Sequence, residues 1–283
     1  MTLKDKKILI VGLGLIGGSY AQGLKRAGFE VGAVTRSQKT VDYALGNGII
    51  DSGTTEVTPD YVGRFDILVF ALYPHVFLDW LDRWQDCIKP GALLTDVTGV
   101  KGAVVYKVQE KLRSDLEFIG AHPMAGREVG GVEHADCRIF EGANYIVTPT
   151  KDNTPEAVAT CEELGRILGF ARISTLSPEL HDEMIGFLSQ LTHCIAVALM
   201  NCKESRHLVD FTGDSFRDLT RIARINEDMW NELFQLNKTE LLSQMDLFRA
   251  SFDRLRDAIA DGDEETVKEM MRISTLRRSY FDL

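Results

Sequence analysis

The sequence predicts an α/β domain followed by an all-helical one. Three observations carry this: an apolar strand running into a Gly12-x-Gly14-x-x-Gly17 turn, alternating strand and helix patterns up to about residue 176, and no strand pattern after it. The glycine turn sits between an apolar strand at 7–11 and a helix start, the arrangement that lays a dinucleotide pyrophosphate on backbone amides. Gly12 permits the tight turn, Gly14 lets the backbone approach the phosphates and Gly17 lets the helix close on the strand. The amides of Leu15 and Ile16 belong to the same cradle.

A first helix runs to about Ala27, a strand follows at 29–34 and a helix at 39–46, completing a βαβ unit. The continuous apolar run at 67–72 has the character of a parallel strand buried on both faces, with a helix at 77–87 after Pro74. Residues 92–97 repeat the strand pattern. A helix at 104–112, strands at 117–121 and 143–148, a helix at 154–168 and a strand at 171–175 complete the sheet. Ser177-Pro178 then reads as a helix start with proline at its first position. Long helices are expected at 178–204, 215–225, 228–261 and 263–279. Within the third, Leu233, Leu236, Leu241, Met245, Phe248, Phe252, Leu255 and Ile259 recur at helical spacing and read as a packed core stripe. The expected domains are therefore 1–176, binding the dinucleotide, and 177–283. The helical domain has few layers of its own and is expected to form a homodimer.

With 283 residues and 45% hydrophobic content, the chain can bury a large core. Its formal charge of -10 argues against a nucleic-acid partner, so an anionic small substrate would need specific arginines. Five cysteines without a C-x-x-C pair fit a reducing, cytoplasmic setting, with no metal site expected. Met1-Thr2-Leu3-Lys4 leads directly into the first strand, so no signal peptide is expected. Residues 184–202 carry no Asp, Glu, Lys or Arg and are nearly long enough to span a bilayer. Ser189, Gln190, Thr192, His193 and Asn201 favour a helix buried at a domain or subunit interface, and no membrane partner is expected.

At the end of the second strand, where an acid commonly holds the adenosine ribose, the sequence is Val34-Thr35-Arg36-Ser37. An arginine flanked by hydroxyls suits a 2'-phosphate, so the cofactor is expected to be NADP or NAD, with the lean to NADP. Ligands in such sheets bind beyond the carboxyl ends of the strands. That rule selects Leu72-Tyr73-Pro74-His75, with Leu72 and Pro74 toward the cofactor, then Thr98-Gly99-Val100-Lys101, then His122-Pro123-Met124-Ala125-Gly126. His122 suits a base working near neutral pH, and Lys101 reads mainly as structuring its loop. In the helical half, His193 lies in the uncharged segment, and Asp218 and Arg221 stand one helical turn apart. Arg221 would offer a carboxylate the planar fork it favours, with Asp218 orienting it.

Taken together, Gly12-Leu13-Gly14-Leu15-Ile16-Gly17-Gly18-Ser19, His122-Pro123-Met124-Ala125-Gly126, Leu191-Thr192-His193, and Phe216-Arg217-Asp218-Leu219-Thr220-Arg221-Ile222-Ala223 with Met229-Trp230 resemble the prephenate and arogenate dehydrogenases of tyrosine biosynthesis. The resemblance covers essentially the whole chain. It implies a Rossmann domain followed by an all-helical dimerisation domain, and oxidative decarboxylation of a cyclohexadienol. His122 would take the 4-hydroxyl proton, hydride would leave the same carbon for the nicotinamide, and loss of carbon dioxide would aromatise the ring. Arg221, supported by Asp218, would bind substrate carboxylate, His193 would hydrogen-bond substrate, and Trp230 and Gly126 would line the pocket.

Two positions depart from the family pattern. Many members carry a serine before the Val-Lys of the fourth strand-end loop, where it orients the catalytic histidine and the nicotinamide. Here Gly99 stands there with Thr98 before it, so either Thr98 takes that role in catalysis and cofactor contact or the contact is missing. The usual threonine after His-Pro-Met-Ala-Gly is Arg127, a second substrate contact or a solvent-facing residue. Prephenate and arogenate both remain open as substrates. No regulatory domain is evident before Leu283, so tyrosine feedback is expected at the active site or not at all. A β-hydroxyacid-type dehydrogenase would use a helical-domain lysine, and no such motif is evident; a non-catalytic dinucleotide sensor would not need His122, His193 and Arg221 together.

Overall fold

The computed structural model describes residues 3–127, 129–203 and 206–282. β1 (Ile8–Val11) enters the glycine turn and α1 (Leu15–Arg26); β2 (Val31–Val34), α2 (Gln38–Gly46), β3 (Ser52–Thr54), the single turn α3 (Pro59–Val62), β4 (Ile67–Phe70), α4 (Pro74–Trp84) and β5 (Leu93–Asp96) follow. Next come α5 (Gly102–Lys111), β6 (Glu117–Pro123), β7 (Asn144–Thr148), α6 (Pro155–Leu168) and β8 (Arg172–Thr175). All eight strands form one sheet in the order β3-β2-β1-β4-β5-β6-β7-β8. Pairing is parallel from β3 to β6; β7 runs antiparallel to β6 and parallel to β8.

The register Ile8↔Ile67 and Ile8↔Val31 puts β1 at the centre, where chain order reverses between β1 and β4. That reversal opens a crevice at the carboxyl ends of these strands. Every residue of β1, β2 and β4 is buried, as a sheet covered on both faces requires. Two apolar clusters, one containing Tyr20, Leu24 and Tyr145 and the other Phe70, Phe77 and Phe118, are the cores on either side of it.

The helical half comprises α7 (Pro178–Ile185), α8 (Thr192–Asn201), α9 (Asp214–Thr220), α10 (Glu227–Leu236), α11 (Lys238–Ala260) and α12 (Glu264–Ser279). Three expectations are corrected here. The helix expected at 178–204 contains a π-helical segment, Gly186–Leu191, between α7 and α8; its expected end at Glu204 lies outside the described residues. The helix expected at 228–261 is two helices, because Asn237 leaves helical geometry and spends its buried side-chain amide on the carbonyl oxygen of Asp182, 2.9 Å, and Oε1 of Gln190, 2.8 Å. The eight-residue stripe is not a core within one chain: only Leu241 is buried, while Phe252 is 60% and Ile259 63% exposed. Leu233 and Leu236 of α10 pack against the core on the Phe70 side of the sheet, which joins the two halves.

Candidate active site

The glycine turn is built as a cradle. Gly12 has φ +98°, and a Cβ there would lie 2.4 Å from the carbonyl oxygen of Ala71. A Cβ on Gly17 would lie 1.9 Å from the oxygen of Gly12, so only glycine lets α1 start this close to β1. Around Gly14 the space is open, and as N-cap it offers no side chain to the first amides of α1. Open space before uncapped amides at a helix N-terminus fits a pyrophosphate. At the neighbouring β2 end, Thr35 is partly buried, Arg36 is exposed and Ser37 caps α2 by accepting from the amide of Thr40. Across the crevice, Leu72 is partly buried and Pro74 begins α4.

The loop after β5 is held by a buried ion pair. Lys101 Nζ donates to both oxygens of Asp96, at 2.8 and 2.7 Å, and to the carbonyl of Ala121, and both side chains are fully buried. Burial pushes the Lys101 ammonium below its ordinary range against the attraction of Asp96. Lys101 therefore structures this loop, as expected. The Thr98 hydroxyl is drawn into the same cluster, meeting Asp96 Oδ2, the carbonyl of Val100 at 2.9 Å and Lys101 Nζ at 3.3 Å. Those contacts leave it a loop-shaping group rather than a partner of His122. Gly99 borders the histidine, since a Cβ on it would lie 3.8 Å from His122 Nε2.

His122 lies on β6, where this strand leaves the sheet's carboxyl edge. Its Nδ1 meets His181 Nε2 at 2.9 Å, and His181 Nδ1 meets Asp182 Oδ1 at 2.7 Å. Asp182 also accepts from the amides of Lys101 and Gly102, 2.8 Å each, where α5 begins. Burial first, then His181 and the Lys101 ammonium, hold the His122 imidazolium well below the ordinary imidazole range. The result is a neutral imidazole at ordinary pH. Sequence reasoning missed His181, Asp182 and Asn237; the His-Asp pair in the first turns of a helix was the available signal.

The remaining candidates gather on the helical half. The His193 ring stacks on Trp230, with centroids 3.7 Å apart and planes 30° apart, and its Nδ1 faces the carbonyl of Ser189 at 2.9 Å. The short turn Arg221–Ala223 packs against α8, which carries His193. Arg221 and Asp218 are both exposed, and Asp214 is the acid that pairs with Arg217. Glu232 of α10 reaches across to α4, accepting from the His75 amide at 2.8 Å and meeting its Nδ1 at 2.8 Å. Gly126 and Arg127 are exposed in the loop after β6.

A family model described as the nucleotide-binding domain of prephenate dehydrogenase matches residues 20–171, and one described as its dimerization domain matches 177–273. The chain is 30% identical to prephenate dehydrogenase of Bacillus subtilis over 99% of this chain and 76% of that protein. It is 28% identical to cyclohexadienyl dehydrogenase of Zymomonas mobilis, over 96% and 95% respectively. Prephenate dehydrogenase of Aquifex aeolicus, solved with hydroxyphenyl propionate and NAD+, superposes with a TM-score of 0.91 at 29% identity, over 99% of this chain and 100% of that one. Arogenate dehydrogenase of Synechocystis gives 0.84 at 26% identity, over 97% and 99%.

Proposed function

The chain belongs to the prephenate dehydrogenase family and is an NAD-dependent oxidoreductase, and from that premise we propose that it oxidatively decarboxylates prephenate to 4-hydroxyphenylpyruvate in tyrosine biosynthesis. The observation carrying this is the neutral His122, set at the carboxyl edge of a dinucleotide-binding sheet with Nδ1 engaged by His181. A base for a hydroxyl proton must be unprotonated and within reach of the site where the cofactor lies.

The amides of Gly14, Leu15, Ile16 and Gly17 would hold the pyrophosphate, with Gly12, whose own amide donates to the Val34 carbonyl, making the turn, and Leu72 and Pro74 would wall the pocket beside the loop that Thr98 shapes. A nicotinamide dinucleotide held there would supply the hydride acceptor. His122 Nε2 takes the proton of the substrate's ring hydroxyl as that carbon becomes a carbonyl. Loss of the ring carboxyl as carbon dioxide then aromatises the product. Arg221 binds a substrate carboxylate, Asp218 supports it electrostatically, and His193 hydrogen-bonds substrate from its seat on Trp230. Gly126 and Arg127 edge the entrance.

The turn Thr35-Arg36-Ser37 reads the adenosine ribose. It presents an exposed arginine and no acid, which supports acceptance of NADP beside NAD, with the lean to NADP. We place the domain boundary at 176–177, between the end of β8 and the start of α7. The helix 178–201 is long and apolar enough to cross a membrane, yet a subunit interface accounts better for it, because the uncovered residues of α11 belong to the same domain. We infer a homodimer through that domain, a cytoplasmic location and no membrane or nucleic-acid partner.

The reading is tested with prephenate and arogenate against NAD and NADP, following reduced cofactor and released carbon dioxide. Turnover of at least one cyclohexadienol is expected, with prephenate favoured. Its absence in all four combinations, from folded protein, overturns the assignment. Arogenate dehydrogenation is the second reading, favoured by the likeness to the Synechocystis enzyme.

A further inference from the structure

We propose that Asp182 and His181 form a two-residue relay across the domain boundary that fixes the tautomer and ring orientation of His122. It rests on the reading that His122 is the base. The argument begins at the carboxylate. Asp182 Oδ1 accepts from the Lys101 amide and faces His181 Nδ1 at 2.7 Å, and Oδ2 accepts from the Gly102 amide. Both of its oxygens already accept from amides at the start of α5, so the carboxylate faces His181 as an acceptor. An acceptor-only group opposite His181 Nδ1 requires the proton to be on that nitrogen. A neutral His181 then presents a lone pair at Nε2, which lies 2.9 Å from His122 Nδ1, and His122 must donate from Nδ1. One nitrogen of His122 is left for the reaction: Nε2, on the edge toward Gly99 and Leu233. The relay moves no proton. When Nε2 accepts the hydroxyl proton, the imidazolium keeps donating through His181 toward the Asp182 anion, which stabilises its charge.

A domain staple alone would not need this chain of groups. Asp182 already bonds the α5 amides directly, yet a fully buried imidazole stands between it and the base with both ring nitrogens engaged. His181 and Asp182 sit on the first helix of the helical half and His122 on β6 of the sheet, so the base is primed only while the two halves are docked. His181 and Asp182 are positioning residues, acting through His122.

The test combines histidine-selective 15N NMR with kinetics on the full-length protein, with the His122 signal assigned by its loss in His122→Asn. In the wild type, cofactor-free, His122 should be neutral with the proton on Nδ1. His181→Leu should lose that single tautomer and lower kcat by about 10–100-fold, with the dissociation constant for NAD held within twofold. His181→Gln should restore both, to within about threefold in kcat, because its amide offers an acceptor to His122 and a donor to Asp182 as the imidazole does. A wild-type His122 protonated on Nε2 overturns the relay, even if His181→Leu does not fold. So does a leucine variant with tautomer and kcat unchanged, and so does equal loss in both variants together with NAD binding, which marks a structural role. The NMR measurement needs no turnover: with His122 protonated on Nδ1 and neither cyclohexadienol oxidised, the reaction assignment fails while the relay stands.

Discussion

The two halves of the chain bury their apolar residues to different degrees. In the sheet half, strands such as β1 and β4 have every residue buried, and the aromatic side chains Tyr20, Phe70, Phe77, Phe118 and Tyr145 are all fully covered within one chain. In the helical half, α12 has no buried residue and α11 only Leu241 and Ala258, while Phe248, Phe252, Met271 and Leu276 lie open. The first half is complete as a monomer, whereas the second has the pattern of a core divided between copies. The groups proposed as cofactor cradle and base lie on the complete half. The groups assigned to substrate carboxylate and pocket wall lie on the half that needs cover. Chemistry and recognition should therefore separate when each half is perturbed.

The largest effect is expected on the sheet half. His122→Asn should lower kcat by about 10²–10⁴-fold while dimerisation and NAD affinity stay intact. A loss under threefold, in folded protein, removes His122 from the base role. The same group sets the pH profile. Burial, His181 and Lys101 lower its pKa, so the acid limb of kcat/KM in the free enzyme should lie below roughly 6.5. The sign also holds for stability: a histidine kept neutral by folding contributes stability above its unfolded pKa and loses it as pH falls and the unfolded chain binds the proton. An acid limb centred above 7 contradicts both.

Next in size is a strike at the open face of α11. Phe252→Asp would set a charge into an apolar subunit interface and should weaken the dimer by about 2–4 kcal/mol, read as a shift toward monomer in sedimentation at micromolar concentration. NAD binding should survive, because the cradle lies in the complete half. An unchanged dimer would place the interface elsewhere and leave the exposure of α11 unexplained.

These two halves also differed in how far the sequence alone revealed them. The strands before and after the glycine turn were legible because a doubly covered parallel strand is a short, continuous apolar run bounded by turns. β3 was not, since Ser52-Gly53-Thr54 contains no apolar residue and earns its place only by pairing with β2. The break at Asn237 was hidden because helical spacing continues through it, and only the positions of Asp182 and Gln190 give its amide a reason to leave the helix. At the site, His122 could be found from its strand-end position. His181 offered only the weak signal of a His-Asp pair in the first turns of a helix, because its link to His122, 59 residues away, is purely tertiary. The apolar stripe was found correctly as a stripe and wrongly placed in a core, because periodicity tells which face is buried but not whether the same chain buries it.

A smaller effect is expected where the helical half meets substrate. Arg221→Ala should mainly raise KM for the cyclohexadienol, by about 1.5–3 kcal/mol in kcat/KM, the loss of a charged hydrogen bond. Arg221→Lys should recover part of it, since a point charge does not reproduce the guanidinium fork. KM for the cofactor should not move. Equal damage to both KM values would join the two halves into one binding unit.

The smallest effect tests whether cofactor choice belongs wholly to the sheet half. Thr35 ends the β2 edge of the crevice, its amide donating to the carbonyl of Thr54 at 3.1 Å, and it neighbours the exposed Arg36. An aspartate there would accept from the ribose hydroxyls of NAD and repel the 2'-phosphate of NADP, so Thr35→Asp should lower the NADP-to-NAD ratio of kcat/KM by on the order of tenfold, about 1.4 kcal/mol. Because this turn lies on the sheet half, KM for prephenate and the sedimentation coefficient should stay where they were. An unchanged ratio means that another segment reads the ribose. A changed ratio accompanied by a changed prephenate KM means that the two halves communicate through the bound cofactor, and the separation of chemistry from recognition is then a property of the empty enzyme only.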